Sequence, residues 1–210
     1  MSDYVLLQTY ATCNPDTFQV VIQCYRILLE RLGCIDQQVF SWLTELQWPT
    51  SDEDNFGDIY ALPFAVTPTL SCDGMTVTLY DTPAVPSVED PPAWLGFNLL
   101  FDTSNVHQDH STVYVPGFGT QVWSIMRALA NEFPEIGVYL TDEYQENHAW
   151  RALAENAGAD PWAFDLAIFP RNLAEHFAEV PSGFQGTVLE KKFGFALQNR
   201  WQALPWQEAE

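Results

Sequence analysis

Leu95-Gly96-Phe97-Asn98-Leu99-Leu100-Phe101-Asp102 places large apolar side chains at 95, 97, 99 and 101, with glycine, asparagine, leucine and aspartate between them. A period of two is that of a β-strand buried on one face, because successive side chains point to opposite sides of a sheet. Upstream, Met75, Val77 and Leu79 alternate with Thr76, Thr78 and Tyr80. The Asp73-Gly74 pair before them reads as a hairpin turn, and Pro68 places the first arm at a sheet edge. Downstream, Thr112 to Val115 predicts a continuation or partner strand that ends at Pro116-Gly117. Val5-Leu6-Leu7, Ile136 to Leu140, and the alternation of Trp162, Phe164, Leu166 and Ile168 predict three more strands.

Helical periods flank this strand-rich middle. Phe18, Val21, Ile22, Tyr25, Leu28, Leu29 and Leu32 recur at spacings of three and four. Asn14 is the expected cap, Pro15 the first turn and Gly33 the stop. A second helix is expected from Asp36, carrying Val39, Trp42, Leu43 and Leu46 and ending at Pro49. Thr120 is the expected cap of a third, with Val122, Trp123, Met126, Leu129 and Phe133 on one stripe. Thr141-Asp142 caps a fourth, with Ala149, Trp150, Leu153 and Ala154 running on to Gly158, and Asn172 to Glu179 predicts a short fifth. Thr187 to Leu204 fits both periods. Together these elements predict an α+β fold, a largely antiparallel sheet covered by several helices on one face, in a single domain spanning 1–210. A parallel βαβ step in the later half stays open.

With 47% hydrophobic residues and eight tryptophans, the 210-residue chain has enough apolar surface to build a core unaided by metal or disulfide. No apolar run approaches the roughly 18–20 residues of a membrane span, and the start Met1-Ser2-Asp3-Tyr4 lacks the pattern of a secretory signal. Cys13, Cys24, Cys34 and Cys72 are scattered without a C-x-x-C pair. Free thiols and a cytoplasmic location are therefore expected.

Charge is the unusual feature. Lys plus Arg total 8 against 28 Asp plus Glu, a net charge of −20, and no basic residue occurs between Arg31 and Arg127. Such a surface repels phosphate backbones and anionic lipid and attracts basic partners, which argues against direct nucleic-acid or membrane binding. Two acidic segments are the candidate partner-binding residues: Asp52, Glu53, Asp54 and Asp58 in one loop, and Asp142, Glu143 and Glu146 in the first turn of a helix. In the second, the helix dipole alone accounts for the carboxylates.

His107-Gln108-Asp109-His110 packs two imidazoles and a carboxylate closely enough to share a divalent metal. The four residues resemble the tail of the H-x-H-x-D-H motif of the metallo-β-lactamase family, with Asn105 where that motif has its first histidine, and no function is carried over. The alternative is a polar turn between strands. Gly117-Phe118-Gly119-Thr120 lacks the third glycine and the lysine of a phosphate-binding loop, so it reads as turn geometry. Asp165 interrupts an apolar run and is expected to be a bonded or half-exposed carboxylate.

The reading that needs least beyond visible acidity and aromatics is a non-catalytic acidic protein-binding protein. Its most concrete form is an immunity or inhibitor protein that neutralises a basic bacterial toxin or nuclease. The alternative is a metal-dependent hydrolase using His107, Asp109 and His110. The first reading implies no cofactor and a basic protein partner, and it leaves homo-oligomerisation open.

Overall fold

The computed structural model describes residues 3–49, 57–80, 93–109, 111–155 and 158–207. Its strands, in chain order, are β1 (Tyr4–Cys13), β2 (Gly57–Tyr60), β3 (Phe64–Thr67), β4 (Leu70–Cys72), β5 (Gly74–Tyr80), β6 (Ala93–Asp102), β7 (Val138–Asp142), β8 (Leu166–Pro170), β9 (Phe184–Leu189) and β10 (Lys192–Leu197). Eight form one sheet in the order β2-β5-β6-β1-β7-β8-β10-β9, while β3 and β4 make a separate ribbon. Every pairing is antiparallel, including those of the later half, so the fold is α+β with no parallel step among the described residues.

The alternation within β6 explains the layers. Leu95, Phe97, Leu99 and Phe101 of β6 share one face with Val5 and Leu7 of β1, Val138 and Leu140 of β7, and Leu166 and Ile168 of β8. Four helices contribute to the core on that face: α1 (Phe18–Leu32), α2 (Gln37–Glu45), α4 (Phe118–Glu132) and, through Val106, the single turn α3 (Thr103–Val106) that follows β6. Tyr25 of α1 stacks on Phe97 with ring centroids 4.0 Å apart. Full burial of a side chain of this size contributes roughly 1.5–3 kcal/mol.

The second face is covered too, which the sequence reading did not anticipate. Tyr10, Tyr139, Ala167, Phe169 and Phe195 pack there against Trp150 of α5 (His148–Ala154) and Phe177, the end of a 3₁₀ segment (Arg171–Phe177). The indole of Trp150 stacks on Tyr10 at 4.9 Å.

Local signals hold in some places and shift in others. Gly33 ends α1 in the left-handed region at φ 104°, and Asp36 caps α2 by accepting from the N–H groups of Gln38 and Val39. Asn14 heads a turn instead of capping: its carbonyl accepts from Thr17 and Phe18, and α1 starts at Phe18. The third predicted helix starts at Phe118 behind Gly117 at φ 83°, not at Thr120. Gly119 lies against Trp201, whose ring an added Cβ would meet at 3.0 Å.

Three strand readings are corrected. Asp73-Gly74 is no hairpin turn, because β4 pairs with β3 whereas β5 pairs with β2 and β6. Thr112 to Val115 forms a single bridge, His107 to Tyr114. Trp162 and Phe164 lie in a turn organised by Asp160, which accepts from the Trp162 N–H, and β8 starts only at Leu166. The undecided tail resolves into the β9–β10 hairpin. All four cysteines are free, and no described helix is long and apolar enough to cross a membrane.

Candidate functional site

Antiparallel pairing sets the start of a strand beside the ends of both its neighbours. In this sheet Tyr4 pairs with Asp102 and Val5 with Asp142, so Asp3 enters β1 where β6 and β7 finish on carboxylates. The Asp3 N–H donates to Glu143 Oε2 at 3.0 Å, and the Asp102 N–H donates to Asp73 Oδ2 at 2.8 Å. Asp3, Asp73, Asp102, Asp142 and Glu143 are thereby gathered at one end of the sheet.

Local hydrogen bonds hold several of these groups in place. Asp102 caps α3, accepting from the Ser104 N–H at 2.8 Å. The Ser104 hydroxyl and N–H together keep its carboxyl below the usual aspartate range. Asp142 accepts from the Gln145 N–H at 3.0 Å in a reciprocal capping box. The cation paired to this end is Arg200, 3.8 Å from Asp142 Oδ2. Carboxylates gathered in this way add their fields over about 8–10 Å at ordinary ionic strength.

Of the first acidic segment singled out from sequence, only Asp58 is described. Asp52, Glu53 and Asp54 lie outside the described residues. Asp58 is exposed on the edge strand β2, in register with Val77, Phe97, Thr9 and Val138. Four strand spacings and four residues of rise put it roughly 23 Å from Asp142. Of the second segment, Asp142 and Glu143 join the acidic end, but Glu146 turns inward, its Oε1 accepting from Asn98 Nδ2 at 3.3 Å. Burial, then the neighbouring Glu143, pushes its carboxyl above the ordinary glutamate value.

Glu146 borders a polar network on the second face. Gln8, Asn98 and Thr141 are buried there. Thr141 Oγ1 donates to Gln8 Oε1 at 3.0 Å and Asn98 Nδ2 to Thr76 Oγ1 at 3.1 Å. Asn147, the one non-glycine residue with positive φ among the described residues, offers Oδ1 to Gln8 Nε2, Tyr10 OH and Tyr80 OH at 3.3, 2.6 and 3.2 Å. No run of consecutive residues marks this network, because its members come from five separate segments.

Asp165 is 1% exposed and fully engaged. Tyr114 OH donates to its Oδ2 at 2.7 Å and Arg200 Nε to its Oδ1 at 2.9 Å. Burial raises its pKa against the opposing pull of Arg200 and the Tyr114 hydroxyl. The interruption of an apolar run was the visible signal; Arg200 and Tyr114 lay too far away in sequence to be paired with it.

His107 is half-buried, its ring tilted against Tyr114 at a centroid distance of 4.8 Å. Its Nε2 has no hydrogen-bond partner among the described residues. Burial and then Arg200 lower its pKa. Asp109 is exposed and His110 lies outside the described residues. Among the described residues, no group of three or more His, Cys, Asp or Glu side chains is placed to hold a metal ion.

Comparison with protein-family models, with curated proteins and with solved structures finds no match.

Proposed function

We propose that the chain is a non-catalytic binding protein that holds a basic protein partner, most concretely an immunity or inhibitor protein that neutralises a basic toxin or nuclease. The observation that carries this reading is the convergence of Asp3, Asp73, Asp102, Asp142 and Glu143 on one end of the sheet, with Arg200 as its paired cation. Carboxylates arrayed in this way match the lysines and arginines with which a nuclease grips phosphate, and their field accelerates encounter. The reading corresponds to a cytoplasmic protein, where free thiols stay reduced and a nuclease would meet its substrate.

The test is a pull-down from native host lysate at low and high salt, read by mass spectrometry, with Asp3→Asn/Asp102→Asn/Glu143→Gln in parallel. One basic protein is expected, lost as salt rises and held about tenfold or more weakly by the variant. A partner whose retention is indifferent both to salt and to the triple substitution would overturn the reading. Recovery of no partner, together with stoichiometric zinc uptake, would favour the hydrolase alternative.

A further inference from the structure

Basic residues gather toward the opposite end of the sheet. Lys192 opens β10 opposite Pro170, two positions beyond the row that runs Gly194, Ile168, Val138, Thr9. The β9–β10 turn therefore lies toward the Cys13 end of β1, away from Asp3 and Asp102. A groove of about 340 Å³ opens there, lined by Arg127 and Asn131 of α4 and by Leu189, Glu190, Lys191 and Lys192 of the hairpin. Both lysines of the sequence and one of its arginines meet in this groove, in a chain with only 8 basic residues and a net charge of −20.

The groove presents donors in a defined arrangement. Arg127 and Asn131 are four residues apart and so share one face of α4. Lys192 Nζ donates to Asn131 Oδ1 at 2.7 Å, which orients the amide and leaves its Nδ2 as a further donor. Arg127 and Lys191 have no carboxylate partner among the described residues. Against three cations stands one lining carboxylate, Glu190, so the lining carries a net charge of +2.

We propose that this groove is a binding site for a compact phosphorylated small molecule. A phosphomonoester carries about −1.5 to −2 charges at pH 7, which matches the lining, and its oxygens suit a guanidinium fork flanked by ammonium groups. The volume is that of a small-ligand pocket, and Leu189 supplies an apolar wall for the organic part. A long polyanion is disfavoured, because any strand leaving the groove would run onto a strongly negative surface.

The test is a ¹H–¹⁵N NMR titration of the full chain with inorganic phosphate at fixed ionic strength, with sodium chloride as the matched control. Saturable shifts are expected at the amides of Arg127, Asn131 and Glu190 to Lys192, with a midpoint in the millimolar range, about right for so small an anion. Arg127 and Lys191 are exposed, so Arg127→Gln/Lys191→Gln should keep the fold and raise the midpoint about tenfold or more. The proposal fails if the shifts do not saturate, if chloride reproduces them, or if the double variant leaves the midpoint unchanged.

Discussion

Asp165 and Arg200, 35 residues apart in sequence, meet at 2.9 Å in a site where the carboxylate is 1% exposed and the guanidinium side chain 15%. The second carboxylate oxygen is taken by the Tyr114 hydroxyl, and Arg200 Nη1 donates to the Thr112 carbonyl at 3.3 Å. The pair thus pins the segment after β10 onto the loop before α4.

Removing one partner should cost far more than removing both. Arg200→Met leaves a buried carboxylate without its cation and is expected to destabilise the fold by about 3–5 kcal/mol. Adding Asp165→Asn should recover a large part of that loss. Urea denaturation of the two single variants and the double variant measures the coupling, and strictly additive losses would contradict it.

Glu146 should make stability depend on pH in an unusual direction. Its folded-state pKa is raised above the ordinary value of 4.5, so the favourable contribution of its protonated form is complete below that value and is lost as pH rises through the folded one. Glu146→Gln keeps an acceptor for Asn98 without the charge. The variant is expected to melt higher than the parent at neutral pH, with the gap closing on acidification. Thermal melts across that range check the sign, and a gap constant at every pH would exclude it.

Asn147 joins a left-handed backbone, φ 62°, to a carbonyl that accepts from three side chains. Glycine relaxes the backbone but leaves the buried Tyr10 hydroxyl without its acceptor. Asn147→Gly is expected to destabilise by about 1–3 kcal/mol, and Asn147→Ala by more, because alanine also keeps the strained φ. Chemical denaturation orders the two; a glycine variant as stable as the parent would show that backbone relief outweighs the network.

Gly74 is needed for close approach, since an added Cβ would lie 2.7 Å from the Tyr60 carbonyl oxygen. Gly74→Ala must push β2 away from β5, at about 1–3 kcal/mol. Because β2 is a four-residue edge strand, the loss should be local. Amide exchange should quicken at Gly57–Tyr60 while Phe97 and Leu99 in β6 stay protected.

The same glycine shows what the sequence could and could not reveal. Alternation in β6 and the helical spacing of α1 were legible because each follows from one face packing on a core, a constraint written into consecutive residues. Asp73-Gly74 was misread because a glycine required by an approaching backbone looks the same as one required by a turn. The β9–β10 hairpin was hidden for the converse reason: it turns at Glu190-Lys191, without glycine, asparagine or proline. Among the site residues, Asp142 and Glu143 were visible as a charged run, although Asp142 ends β7 and Glu143 opens a 3₁₀ turn (Glu143–Gln145) in place of the expected helix, which begins only at His148, whereas Asp3, Asp73 and Asp102 become neighbours only through strand register. The inward turn of Glu146 depends on Asn98, which comes from another strand.

β1 is the first strand of the described chain, yet it lies in the interior of the sheet between β6 and β7. During synthesis at about 5–20 residues per second, roughly 6–25 s separate the emergence of Cys13 from that of Val138. Until β6 has been made, well into that interval, an apolar strand has neither lateral partner, and until its end it lacks β7, with the helices that follow it directly at hand to shelter its face. Pairing across such sequence distances makes folding slow and late. The order of elements along the chain therefore creates a demand on the cell, which must keep the nascent polypeptide from finding other unpaired strands before its own arrive.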